Sequence, residues 1–138
     1  MAHLPEEVVE ALEEPENIKM LVTADEDKKI NMVPIGSLVP IDDETLAYAS
    51  FFSGKTKKNI EATRKIAVAV YQPPMEGYQV KGTFVRWETS GEIYDKVAGP
   101  AVEQLKAAGL SFTPSAVGIM KVTEAYALSI PLAGEKLV

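Results

Sequence analysis

The links between the apolar segments of this chain are too short for anything but an antiparallel sheet. Asp25–Lys29, Asp42–Thr45 and Gln72–Gly77 are polar or Pro/Gly-rich stretches of a few residues each. A parallel crossover takes roughly a dozen residues, whereas a turn suffices between antiparallel neighbours. The segments that these turns join read as strands: Ile18–Ala24, Ile30–Ile41, Leu46–Phe52, Ile66–Tyr71, Tyr78–Thr89 and Ser115–Ile130. Helical patterns fall at Pro5–Glu14, from Ser53 or Gly54 to Arg64, and at Glu92–Ala108, the last with a predicted break at Gly99-Pro100. Strands and helices do not alternate regularly. The pattern predicts a mainly β, six-stranded antiparallel barrel with peripheral helices in one domain spanning residues 1–138.

Individual residues sharpen that expectation. Pro34 cannot donate to a ladder, so it predicts a sheet edge or a bulge. Asn31, just past the first hairpin, suits a turn. The run Ile66–Tyr71, IAVAVY, reads as a strand buried on both faces. In the long fifth strand Tyr78, Val80 and Phe84 share one face, while Val85 and Trp87 fall on the other. That change of phase predicts a bulge near Thr83–Val85, or cover on both faces. Trp87 is expected in the core or at a dimer interface. In the last helix Val102 and Leu105 are expected to face inward.

Chemistry is concentrated in Ser50–Lys65, SFFSGKTKKNIEATRK. The chain has a formal net charge of -6, yet Lys55, Lys57, Lys58, Arg64 and Lys65 are five of its fourteen basic residues. Three of these lysines crowd the start of a helix, the positive end, where a cation costs a few tenths of a kcal/mol up to about 1. A bound anion relieves this: helix N–H groups, ammonium groups and the hydroxyls of Ser53 and Thr56 would all point at it. A solvated basic helix face is the other reading. Gly54-Lys55-Thr56 is not a P-loop, because the glycine required five residues earlier is Ala49.

Other chemistries are disfavoured. There is no cysteine, and His3 is the single histidine, near a terminus. Thiol catalysis is absent, and a Ser-His-Asp triad or a zinc site would have to depend on His3. The acidic balance argues against a nucleic-acid face. No apolar run approaches a membrane span, and the acidic start lacks a secretory signal core, so a cytoplasmic home is expected. Hard chemistry here would belong to a cofactor.

The phrases TLAYASFFSGKTKKNIEATRKIAVAV and YQVKGTFVRWETSGEIY, with the element order, resemble the FMN-binding split-barrel proteins of the pyridoxamine 5′-phosphate oxidase-like superfamily. The likeness runs from about Ile18 to Leu128 and is closest to the short single-domain members. It implies a six-stranded Greek-key split barrel that forms a homodimer with FMN at the interface. It also implies that Lys55 and Thr56 hold the FMN phosphate; Asn59, on the next turn of that helix, also matches the family's cofactor-binding pattern. Ser50, Phe51, Phe52 and Ser53 would run beside the ribityl chain and ring, and Asn31, Met32 and Val33 would meet the isoalloxazine edge. Gln79 and Lys81 would reach the flavin of the same or the partner subunit. The implied function is a flavin redox protein acting on a small molecule or an electron-transfer partner. The alternative is a carrier or sensor of FMN or of another phosphate-bearing ligand such as F420. Haem, also used in the superfamily, wants an axial ligand that His3 is poorly placed to supply. The residues expected to hold the substrate phosphate of a true pyridoxamine phosphate oxidase are not identifiable, nor is its extended C-terminal region.

Overall fold

The computed structural model describes residues 2–51, 54–129 and 132–138. Its elements, in order, are α1 (Glu6–Glu13), β1 (Ile18–Ala24), β2 (Ile30–Pro34), β3 (Val39–Pro40), β4 (Thr45–Ser50), α2 (Lys55–Thr63), β5 (Lys65–Gln72), β6 (Glu76–Glu88), α3 (Glu92–Ala107) and β7 (Ala116–Ala127). All strand pairs are antiparallel, in one sheet of order β2-β1-β5-β6-β7-β4-β3. Among the described residues no helix is long and apolar enough to cross a membrane.

The sheet has seven strands rather than the expected six, because the segment Ile30–Ile41 is two strands. Pro34 ends β2, and residues 35–38 carry the chain from one edge of the sheet to the other. Five Cα steps reach at most about 18 Å, whereas seven flat strands would span about 29 Å. The sheet therefore has to curl. Lys19 fastens the crossover: its ammonium donates to Leu38 O (2.7 Å) and to Leu12 O at the end of α1 (3.1 Å). Burial lowers the Lys19 pKa. Ser37 Oγ accepts from the Ala49 N–H (3.0 Å), filling a ladder position beside β4.

Alternation decides what the curl encloses. Leu21, Leu46, Val68, Val80, Met120 and Val122 face the interior, where Val8 and Leu12 of α1 join them. Outside, α3 covers β4 and β7 through Val97, Ala98 and Ala101 against Ala47, Ala49, Val117 and Ile119. Val102 and Leu105 are only half-buried beside that stripe. The predicted break at Gly99-Pro100 is absent: α3 is continuous through Pro100, which lies exposed on its outer side.

The outer face of β2-β1-β5-β6 has no helix over it. Pro34, Met20, Ala69 and Gln79 form one cross-strand row; Met32, Val22, Ala67 and Lys81 form the next. Beside them Ile30 is 78% exposed, Met32 63% and Ile18 52%. β5 is therefore buried on one face only within the chain, with Ala67 and Ala69 half-exposed on the other. The expectation of two buried faces is not met inside one protomer.

The predicted bulge is present. Val85 is the extra residue of β6, since Phe84 faces Met120 and Arg86 faces the next residue, Ile119. The extra residue restores the phase, so Trp87 is on the same side as Phe84, not opposite it. The two rings lie 4.8 Å apart, and Tyr48 meets Trp87 edge-on at 6.1 Å. Arg64, at φ 60° where α2 ends, donates to the carbonyls of Phe84 and Val85. A second irregularity falls at Lys81/Gly82, where β7 presses so close that a Cβ on Gly82 would strike the Lys121 carbonyl oxygen.

Gly82→Ala is expected to destabilise the fold by about 2 kcal/mol, because the obstacle is backbone and cannot rotate away. Urea unfolding of the variant beside the unmodified chain measures this.

Candidate functional site

The basic segment does not act as one patch. Arg64 is committed to the bulge. Lys57 pairs with Glu61 (3.7 Å) and lies over the Trp87 ring (5.4 Å), whose Nε1 donates to the same Glu61 (3.2 Å). Lys58 and Lys65 are exposed. Lys55 stands at the first position of α2. The cap residue, Gly54, supplies no side-chain bond, and the first turn has no acidic residue. Among the described residues, the helix thus starts with partial positive charge and a lysine, and no side chain caps it or brings an anion to its first turn.

A cleft of about 450 Å³ opens at this point. Asn31, Val33 and Ile35 line one wall, Tyr48, Ala49, Ser50 and Phe51 another, and Gly54–Lys57 the end. Asn31 Nδ2 donates to Thr56 Oγ1 (3.0 Å), so β2 and the helix start are joined by the side chains expected to hold a ligand. Asn31 is a strand residue here, not a turn residue. The cleft combines an apolar interior with polar groups at one end, at a volume suited to a cofactor. A larger cavity, about 580 Å³, is walled by Glu7, Glu10, Glu14, Glu16 and Glu76. Its carboxylates repel a phosphate, so it is no rival for an anionic ligand.

The expected site residues divide clearly. Asn31, Val33, Ser50, Phe51, Lys55 and Thr56 converge on the cleft. Asn59 is buried beneath α2, donating to Thr23 Oγ1 on β1 (3.1 Å), and it does not line the cleft. Met32 points to the outer face. Gln79 and Lys81 also lie on that face, Lys81 over the Tyr126 ring at 5.3 Å. Phe52 and Ser53 lie outside the described residues. His3 is remote, between Asp43 and Glu44 at 3.2 Å each. Among the described residues no cluster of His, Asp and Glu is arranged for a metal.

Sequence reasoning missed Ile35, Tyr48 and Ala49. Tyr48 had a usable signal: it lies two residues before Ser50 on the same strand, hence on the same face. It is 2% exposed. Burial pushes its pKa up to about 12; the Ser50 side chain pulls slightly the other way and Glu61 adds to the rise. The ring is seated by Gly118, where a Cβ would come within 2.8 Å of Tyr48 and 2.9 Å of Trp87.

Comparison with known proteins bears on the family and the fold. The family model described as pyridoxamine 5′-phosphate oxidase matches residues 4–128. The crystal structure of Group A Streptococcus HupZ is 27% identical, with a TM-score of 0.75, covering 95% of this chain and 98% of that one. An FMN-binding protein from Syntrophomonas wolfei subsp. wolfei is 22% identical, TM-score 0.71, covering 81% and 77%. A structure named F420 reductase is 18% identical, TM-score 0.66, covering 88% and 98%. No curated protein matches the chain in sequence.

The raised Tyr48 pKa has a definite pH signature. The folded chain keeps a proton that the unfolded chain releases near pH 10. The associated stability is whole below pH 10 and is lost as pH climbs toward 12. Over that window the unmodified protein is expected to lose about 2 kcal/mol more than Tyr48→Phe, as measured by denaturant titrations at several alkaline pH values.

Proposed function

The chain belongs to the pyridoxamine 5′-phosphate oxidase family, and from that premise we propose that it is an FMN-binding redox protein. The observation that carries the reading is the start of α2, where Gly54 gives no side-chain cap and Lys55 and the Asn31–Thr56 pair meet at the end of the cleft. The FMN phosphate binds there, taking hydrogen bonds from the helix N–H groups, the Lys55 ammonium and the Thr56 hydroxyl. Val33, Ile35 and Phe51 cover the flat ring system, and Ser50 and the β2 backbone supply polar contacts. Bound FMN would supply the hydride or electron transfer that these side chains do not. The protein's own part is to bind the cofactor, orient it and keep its ring away from water. The substrate is a small molecule or an electron-transfer partner. The same residues serve a carrier or sensor, or a site for another phosphate-bearing ligand such as F420. Haem fits less well, because the one histidine is held by Asp43 and Glu44, away from the cleft.

The protein works as a homodimer. The uncovered outer face, with Ile18, Met20, Val22, Ile30, Met32, Ala67 and Ala69, is the apolar surface that a second copy covers. Gln79 and Lys81 lie on this face, so any flavin contact they make is with the partner's cofactor rather than their own. β2 is shared: its inner residues line the cleft and its outer residues line the interface.

Lys55→Ala with Thr56→Ala is expected to lower FMN affinity by about 100-fold, from the loss of two charge-assisted bonds, while the apoprotein stays folded and its thermal midpoint falls only slightly through the lost Asn31–Thr56 bond. Fluorescence quenching of titrated FMN measures it, and unchanged affinity would reject the assignment. Ala67→Arg should convert the dimer to a monomer in sedimentation and release the flavin; a dimer that persists would place the interface elsewhere. Steady consumption of NAD(P)H by the flavin-loaded protein separates a redox protein from a carrier.

A further inference from the structure

Tyr48 does more than fill space. Its hydroxyl is closed off from solvent and, among the described residues, the chain offers it no hydrogen bond of acceptable geometry. The nearby Ser50 side chain, which softens its pKa, does not satisfy it. A buried polar group left this way is expensive. Phenylalanine would pack in the same place without that cost, beside Trp87 and over Gly118. The ring is confined, because Gly118 and Trp87 both lie against it. The hydroxyl also keeps its proton through the neutral range, so it is a permanent donor.

The residue lines the cleft, two positions before Ser50 on β4. That spacing is about 7 Å of strand, and the hydroxyl at the end of the ring lies near the Ser50 side chain. We propose that Tyr48 is a further ligand-binding residue of this cleft, donating a hydrogen bond to an oxygen acceptor on the non-phosphate body of the ligand. The acceptor is a ring carbonyl or a ribityl hydroxyl, and seating the ligand shifts the lining enough to expose the hydroxyl to it. This inference rests on the flavin reading of the site and adds a contact in its wall.

The test compares the unmodified protein with Tyr48→Phe, titrating FMN, riboflavin and inorganic phosphate, and melting both ligand-free proteins. The expected result has two opposite signs. The variant's ligand-free melting temperature is equal or higher, while its dissociation constants for FMN and riboflavin both rise about 5- to 10-fold. Its phosphate affinity does not change, and the visible band of bound flavin shifts. Equal FMN and riboflavin affinity in the two proteins overturns the inference and leaves the FMN reading standing. A variant that melts lower also overturns it, because the hydroxyl is then bonded within the chain. Failure of the unmodified protein to bind either flavin rejects the FMN reading itself, and this inference with it.

Discussion

The fold depends on a constraint of reach. Residues 35–38 must join β2 to β3, the two edges of a seven-stranded sheet, and a stretch that short cannot cross a flat one. Curling the sheet brings the edges together and encloses the core in the same act. It also makes the cleft. β2 and β4 are far apart in sheet order, yet Asn31, Val33 and Ile35 of one side face Tyr48–Phe51 of the other. The crossover is held by a buried ammonium rather than by apolar packing alone. Among the described residues Lys19 has no carboxylate partner, and its ammonium donates to two carbonyls, one at the negative end of α1. That single side chain ties helix, strand and crossover to one point.

Much of this was legible in the residues. Short links gave antiparallel pairing, Pro34 gave an edge, and the phase change in the fifth strand gave the bulge. What sequence could not supply was the consequence of each local feature. Pro34 was read as an interruption, but it begins the passage from one edge of the sheet to the other, which is why one expected strand became two. The bulge was foreseen while Trp87 was assigned to the wrong face, because one inserted residue reverses every side chain that follows it. Pro100 was expected to restart a helix, yet it is tolerated within α3 on the side turned to solvent. The unbroken run of β5 reads as a strand buried on two faces, yet within the chain only one of its faces is covered.

The candidate site was legible through electrostatics. Lysines at a helix start break a local rule, and the structure separates them by role. Lys57 pairs with Glu61 and lies over Trp87, Arg64 serves the bulge, and Lys55 is left at the cleft. Composition counts these charges alike; only their partners distinguish them. Asn59 shows the opposite limit. It lies one turn from Lys55 and matches the family pattern, yet its amide is turned inward to Thr23. Position along a helix fixes which residues are neighbours, but the azimuth about its axis decides what each one meets.

Trp87 is the chain's one tryptophan, and it is half-buried between Phe84, Tyr48 and the Lys57–Glu61 pair, next to two residues, Tyr48 and Lys57, that line the cleft. Its indole is therefore a native optical probe whose emission comes from a single place. A chromophore seated a few residues away would drain that emission by energy transfer, and a change in the Lys57–Glu61 pair would move its wavelength. The protein carries its own reporter of occupancy, with no label to attach and no second tryptophan to subtract.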